Sequence, residues 1–254
     1  MSILRQRTME TVTVQDVGTE AGAENGSGPA FPTRVVLQPI AAPSVLGWFA
    51  FAGATFIVAA WMAGWYGSPA TPDYLFPFAA LVGGLAQFLA GMWSYRARDV
   101  LATAMHGTWG AFWLGWGVLW ALFATGRLQE PTGTFSSLGY WFIALAFITA
   151  SGAVAALARG IGLFGLLSSL TAGSVLTAAG YLANSDMTLK IAGYFLIVSA
   201  AIAWYEASAM LFADSFRRVV LPLGTYSRAD NVPGAESMRV IEWAPGEPGI
   251  RHGQ

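Results

Sequence analysis

Polar and apolar residues in this chain are arranged in long blocks rather than with a short period. After a polar start, six runs nearly free of charge occupy about 45–66, 74–95, 100–124, 138–158, 161–183 and 190–213. At about 1.5 Å of rise per residue, each is long enough as a helix to cross the roughly 30 Å of a bilayer's hydrocarbon. The breaks are Gly67-Ser68-Pro69 with Pro72, Arg96 to Asp99, Arg127 to Gly133, Arg159-Gly160 and Asn184-Ser185-Asp186. The pattern predicts an all-α polytopic membrane protein with six transmembrane helices. Connections this short make successive helices antiparallel neighbours in one bundle.

The flanks read differently. Residues 1–44 are polar, acidic and Gly/Ser-containing, and are expected to form a disordered cytoplasmic tail. Thr11-Val12-Thr13-Val14 is too short and too polar for a signal peptide, so the first apolar run is expected to stay in the protein as a helix. The transport domain is expected over 45–214 and a second cytoplasmic tail over 215–254. Arg217 and Arg218, at the start of that second tail, suit anionic headgroups or a simple stop-transfer anchor. With six crossings, Arg34, Arg96, Arg98, Arg159, Arg217 and Arg218 fall on one side, against Arg127 and Lys190 on the other. The positive-inside rule then puts both termini in the cytoplasm of a cell-membrane protein.

Composition agrees with lipid as the solvent. Only 11% of residues are charged, against about 25% in soluble domains. Cysteine is absent, which excludes disulfides and thiol chemistry. Two histidines make no convincing metal site, and a net charge of -1 gives no footprint for nucleic acid. There is no nucleotide-binding loop, no nucleophile with its base and no carboxylate pair at catalytic spacing. Neither an enzyme nor a bound cofactor is expected.

The stretch from Gly83 to Gly115 is the most distinctive. Within its second run and just beyond, Trp109, Trp113, Trp116 and Trp120 recur at spacings of four, three and four, one stripe along a helix. Thr103, His106, Gly110 and Gly117 border that stripe. An indole rail beside a small, polar groove suits the lining of a narrow passage. Helix packing and interfacial anchoring by tryptophan are the competing reading of the stripe. Gln87, Thr108 and Thr171 are among the polar groups inside the runs, where a hydroxyl ordinarily bonds back to its own helix. None of the in-span polar groups is Lys or Arg, so any anion met there is held weakly and can be released.

Two titratable groups stand out. Glu206 lies about two turns before Asp214, where an ionised carboxylate costs about 3 kcal/mol on insertion scales. It should therefore turn toward the bundle interior, keep its proton or snorkel to the interface, and it is a candidate proton or gating group. His106 is the one histidine within a run, and an unperturbed imidazole titrates at about 6.5. It can serve as a proton carrier or as a neutral histidine satisfied by a neighbouring helix.

Residues 83–113, with the run Ala86-Gln87-Phe88-Leu89-Ala90-Gly91-Met92-Trp93, then Tyr95, then Gly110-Ala111-Phe112-Trp113, resemble the core of the acetate uptake transporters, which include the succinate-acetate permeases. Phe216-Arg217-Arg218-Val219-Val220-Leu221-Pro222-Leu223-Gly224 is similar to that family's ending, and Ser169-Leu170-Thr171 also fits. The likeness runs over about 42–224. It implies a six-helix subunit assembled as a homohexamer. Each subunit would be a channel or proton-coupled transporter for acetate and similar small monocarboxylates, with succinate a further substrate. It also implies a hydrophobic narrowing at Phe51, Trp109 and Leu170, with Gln87, Thr108 and Thr171 along the substrate path. The chain departs from the family in having Trp109 where a Tyr is usual, Ala42-Pro43-Ser44-Val45 before the first helix, Ser94 in place of Glu, and Ala213-Asp214 without the preceding Asn. Such changes mark a divergent member. A channel for another small anion or a neutral solute, and a non-transporting membrane sensor or scaffold, are the alternatives.

Overall fold

The computed structural model describes residues 41–226 and 232–233. The expected N-terminal tail lies outside the described residues apart from its last four positions, and the expected C-terminal tail lies outside them beyond Tyr226 except for 232–233. Helices cover Pro43–Met62 (α1), Pro72–Arg96 (α2), Val100–Ala124 (α3), Ser136–Ala156 (α4), Ile161–Ala183 (α5) and Asp186–Phe216 (α6). An antiparallel bridge between Gly160 and Thr225 is the β-type pairing among the described residues.

Five of these helices, α1, α2, α4, α5 and α6, are long and apolar enough to cross a membrane. The sixth expected span, α3, does not meet that criterion. It is 25 residues long and carries no charge, but Trp109, Trp113, Trp116, Trp120, four glycines and His106 lower its hydropathy. The molecule is thus a multi-pass, all-helical membrane protein.

Local chemistry sets the helix ends. Pro43 and Pro72 stand at the first positions of α1 and α2, where a missing N–H costs nothing. Asp99 caps α3: its Oδ1 accepts from Ala102 N at 3.0 Å, and Thr103 Oγ1 donates to the Asp99 carbonyl at 2.7 Å. Ser185 caps α6 by accepting from Thr188 N at 3.3 Å. Left-handed residues, Asn184 (φ 50°) and Arg217 (φ 55°), close α5 and α6.

Two elements differ from the hydropathy reading. The last helix begins at Asp186 rather than near 190, so Lys190 lies within it and not in a loop. Its ammonium stretches back toward Gly64 at the end of α1, as a snorkelling lysine does. The second helix is interrupted by a π-helical stretch at Ala79–Ala86, immediately after Pro77. Proline removes one backbone donor, and the wider turn that follows re-aims the side chains beyond it.

Lipid gives helices no hydrophobic reason to associate, so close packing of small residues does the work. A Cβ on Gly91 would lie 2.6 Å from the Gly107 amide nitrogen, and one on Gly110 would lie 2.5 Å from that of Phe88. Backbone therefore meets backbone along the antiparallel α2/α3 pair. The pairs α4/α5, α5/α6 and α1/α6 are also antiparallel and close. Residue Gly193 of α6 abuts the Ala59 carbonyl and Ala63 amide of α1, and Phe56 lies 5.9 Å from Trp204. In contrast, α3 and α4 are held apart by rings, with Phe112 and Phe142 centred 5.3 Å from each other. Rings and aliphatic side chains fill the middle of the bundle.

Candidate functional site

The central rings come from two helices that run in the same direction. Because α1 and α3 are parallel, their side chains meet in a constant register. Trp48 faces His106 with ring centres 4.4 Å apart, and one turn on Phe51 meets Trp109 edge-on at 6.0 Å and 77°. Beyond them Thr55 and Trp113 line one cavity. All four tryptophans of the α3 stripe are buried, so the indoles face the bundle interior rather than anchoring at its rim. They continue outward as a row of rings, Trp109, Phe112, Trp113, Trp116, Trp120 and Phe123, each 5.1 to 5.6 Å from the next and edge-on except for the tilted Trp116–Trp120 pair.

Leu170, from the middle of α5, belongs to the same core and is almost fully buried, as are Phe51 and Trp109. On the side away from the Arg96–Asp99 turn, a cavity of about 30 Å³ opens between Thr55, Trp109, Trp113, Phe142, Thr177 and Tyr181, among others. A water needs about 10–15 Å³, so the space suits about two waters. Thr55 and Trp113 are among the residues lining it, and Thr55 Oγ1 and Trp113 Nε1 are buried and make no hydrogen bond. Such atoms are uncommon in folded proteins. They leave an acceptor-donor and a donor uncommitted among the residues around the cavity.

The other polar residues are placed as follows. His106 is wholly buried, with neither ring nitrogen partnered. Its imidazole fills the position a Cβ on Gly47 would take, so a glycine in α1 makes the room. Gln87, at the end of the π-helical stretch, is buried with Oε1 unpartnered. The proton of the Thr171 hydroxyl is committed to the Leu167 carbonyl at 2.8 Å. Thr108 is half-buried and shares its helical face with the exposed Ala104, Ala111 and Gly115. That face is turned from the Trp109 side, so Thr108 is not brought together with the central rings.

Glu206 also lies apart from the rings, at the end of the bundle that carries Arg159. It is 7% exposed, and its carboxylate takes the place of a Gly162 side chain in the first turn of α5. The chain after α6 folds back over this point. Tyr205 Oη donates to the Pro222 carbonyl at 2.7 Å, and Ile161 N donates to that of Gly224 at 2.8 Å. The strap 219–225 is thereby tied across the start of α5. Glu206 Oε1 has no hydrogen bond.

One partner of the central rings carries no signal in the sequence pattern. Thr149, in α4, is fully buried and accepts from Trp109 Nε1 at 3.0 Å. A single uncharged threonine midway along an apolar run was the only hint.

Residues 27–225 match the GPR1/FUN34/yaaH family. The chain belongs to that family. Among its relatives, the Meiotically up-regulated gene 86 protein of Schizosaccharomyces pombe (strain 972 / ATCC 24843) is 28% identical over 176 residues, covering 66% of this chain and 58% of that protein. The Succinate-acetate/proton symporter SatP of Escherichia coli (strain K12) is 26% identical over 190 residues, covering 73% of this chain and 96% of that one. Thus the chain spans less than two thirds of the fission yeast relative's length and nearly all of the bacterial one. A solved structure described as that of the bacterial acetate channel SatP superposes with a TM-score of 0.65 at 24% identity, over 73% of this chain and 100% of the other. The GPR1/FUN34/yaaH member described here therefore shares its fold with that channel.

Proposed function

We propose that this chain is the subunit of a homohexameric acetate and small-monocarboxylate transporter of the cell membrane. In this reading it crosses the bilayer six times, has both termini in the cytoplasm, and is not an enzyme. The sixth crossing is α3. Its antiparallel contact with α2, from Gly91 and Gly107 to Ala80 and Gly117, takes it through the same thickness as a helix that meets the hydropathy criterion.

The observation that carries the reading is the edge-on pair Phe51 and Trp109 buried in the core of the bundle, flanked by the unpartnered polar atoms of His106 on one side and of Thr55 and Trp113 on the other. Small carboxylic acids ionise near the Glu side-chain value of about 4.3, so the anion dominates at neutral pH and needs a protein path. Phe51, Trp109 and Leu170 form the constriction at which the carboxylate sheds water. Hydrogen-bonding groups on either side, with Gln87 on α2, shorten the dry interval. Thr171 contributes a lone pair rather than a donor, and Thr108 faces a neighbouring subunit or lipid. Because all three side chains are almost fully buried, passage requires the Trp109 or Phe51 ring to swing.

Uptake of labelled acetate into proteoliposomes tests this. Trp109→Ala and Leu170→Ala should change the rate, and so should a larger residue at position 170. Unchanged uptake in all of them would remove the constriction from these residues. Flux of acetate, succinate, formate and lactate across an imposed pH gradient defines the substrate. It also separates a carboxylate path from one for another anion or a neutral solute. Proton coupling through Glu206 or His106 predicts that Glu206→Gln or His106→Gln flattens the pH profile. A profile retained in both variants would leave a channel.

A further inference from the structure

The indole of Trp109 is held from outside the constriction. Its Nε1–H can only donate, and it does so to Thr149 Oγ1 at 3.0 Å. The hydroxyl proton of Thr149 is itself spent on the Leu145 carbonyl of its own helix, at 2.7 Å. The polarity of the bond is therefore fixed, and the lone pair offered to the indole has a fixed direction. Both residues are buried, so water does not compete for either group. In a helix a threonine has few χ1 choices, and bonding back to the i−4 carbonyl selects one of them.

The consequence lies in geometry. Trp109 reaches from α3 to α4 through this bond. Phe51 and Phe112 meet the indole edge-on, at 6.0 Å and 5.4 Å, and neither ring gives it a directional bond. The hydrogen bond to Thr149 adds a directional tie at its Nε1 edge.

We propose that Thr149 is the positioning residue of the constriction, setting the angle of the Trp109 indole and through it the size of carboxylate that passes. This rests on the reading of Phe51, Trp109 and Leu170 as the constriction. Thr149 touches no substrate. Its influence passes through one N–H.

The test uses full-length protein in proteoliposomes and compares acetate with butyrate flux down equal gradients. Thr149→Val keeps the shape and loses the acceptor; it should shift the butyrate-to-acetate ratio at least threefold upward, whereas Thr149→Ser should stay at the parent ratio. Thr149→Ala supplies a second variant without the hydroxyl should the valine protein fail to assemble, and is expected to shift the ratio in the same direction. Phenylalanine has no N–H to lose, so in a Trp109→Phe background Thr149→Val should leave the ratio unmoved. The inference is overturned if Thr149→Val and Thr149→Ala leave the ratio at the parent value, or shift it equally with and without Trp109. If Trp109→Phe and Trp109→Ala themselves leave the ratio untouched, the constriction reading fails and the positioning role falls with it. A ratio sensitive to Trp109 but insensitive to Thr149 overturns the positioning role alone.

Discussion

Arg159 forks onto Asp99 across 60 residues of sequence, its Nη1 3.2 Å from Oδ2 and its Nη2 3.0 Å from Oδ1. The pair ties the α2–α3 turn to the α4–α5 turn at one end of the bundle. Asp99 also caps α3, so one carboxylate serves two elements. Asp99→Ala should cost about 1–2 kcal/mol, mostly from the lost cap. With half of its side chain exposed, Arg159 contributes a smaller share, about 0.2–1 kcal/mol, and that share falls with added salt. Thermal unfolding in detergent at low and high ionic strength checks both, and a larger loss for Arg159→Ala than for Asp99→Ala would contradict it.

Gly110 and Gly115 make a matched comparison five residues apart on one helix. A methyl on Gly110 meets the Phe88 backbone, which cannot yield, whereas nothing lies within 4 Å of the same methyl on Gly115. Gly110→Ala should destabilise by about 1–3 kcal/mol through overpacking. Gly115→Ala should be neutral or slightly stabilising, since alanine is the better helix former. Equal thermal midpoints for the two variants would show that the α2/α3 contact is looser than described.

His106 and Gly47 share one volume. Gly47→Ala should displace the imidazole and depress acetate flux severalfold. Adding His106→Ala to that variant should restore packing, though not necessarily flux. If Gly47→Ala retains the parent midpoint and the second change gives no relief, the two residues are not in steric competition.

Thr171→Val should leave acetate flux within about twofold, because the hydroxyl proton is already spent on its own helix. Thr55→Val removes an uncommitted hydroxyl from the cavity wall and should reduce flux more. A larger loss at Thr171 than at Thr55 reverses the assignment of which hydroxyl meets the substrate.

Much of this was legible because hydropathy blocks report lengths directly. All six helices lie where the apolar runs fall, within a few residues. The Trp109 to Trp120 spacing foretold a single face, and the family likeness brought Phe51 and Trp109 to one level. What escaped has physical reasons. Lys190 reads as a helix boundary, yet its long stem lets the helix continue past the charge. A π-helical stretch leaves composition unchanged, so Pro77 and Gly83-Gly84 were its only trace. Whether a threonine faces its own carbonyl, a cavity or an indole depends on a rotation of tens of degrees, and that separates Thr171, Thr55 and Thr149 without any mark in their neighbours. Glu206 against Gly162 is a tertiary match between residues far apart in the chain.

The antiparallel contact of α1 with α6, from Ala63 beside Gly193 to Phe56 beside Trp204, brings Pro43 and Phe216 to the same end of neighbouring helices. First and last elements thus close a circle, and the bundle has no seam where its chain happens to begin. A circular permutant that joins these ends by a short flexible linker and opens at the exposed Arg127–Gly133 connection should still assemble.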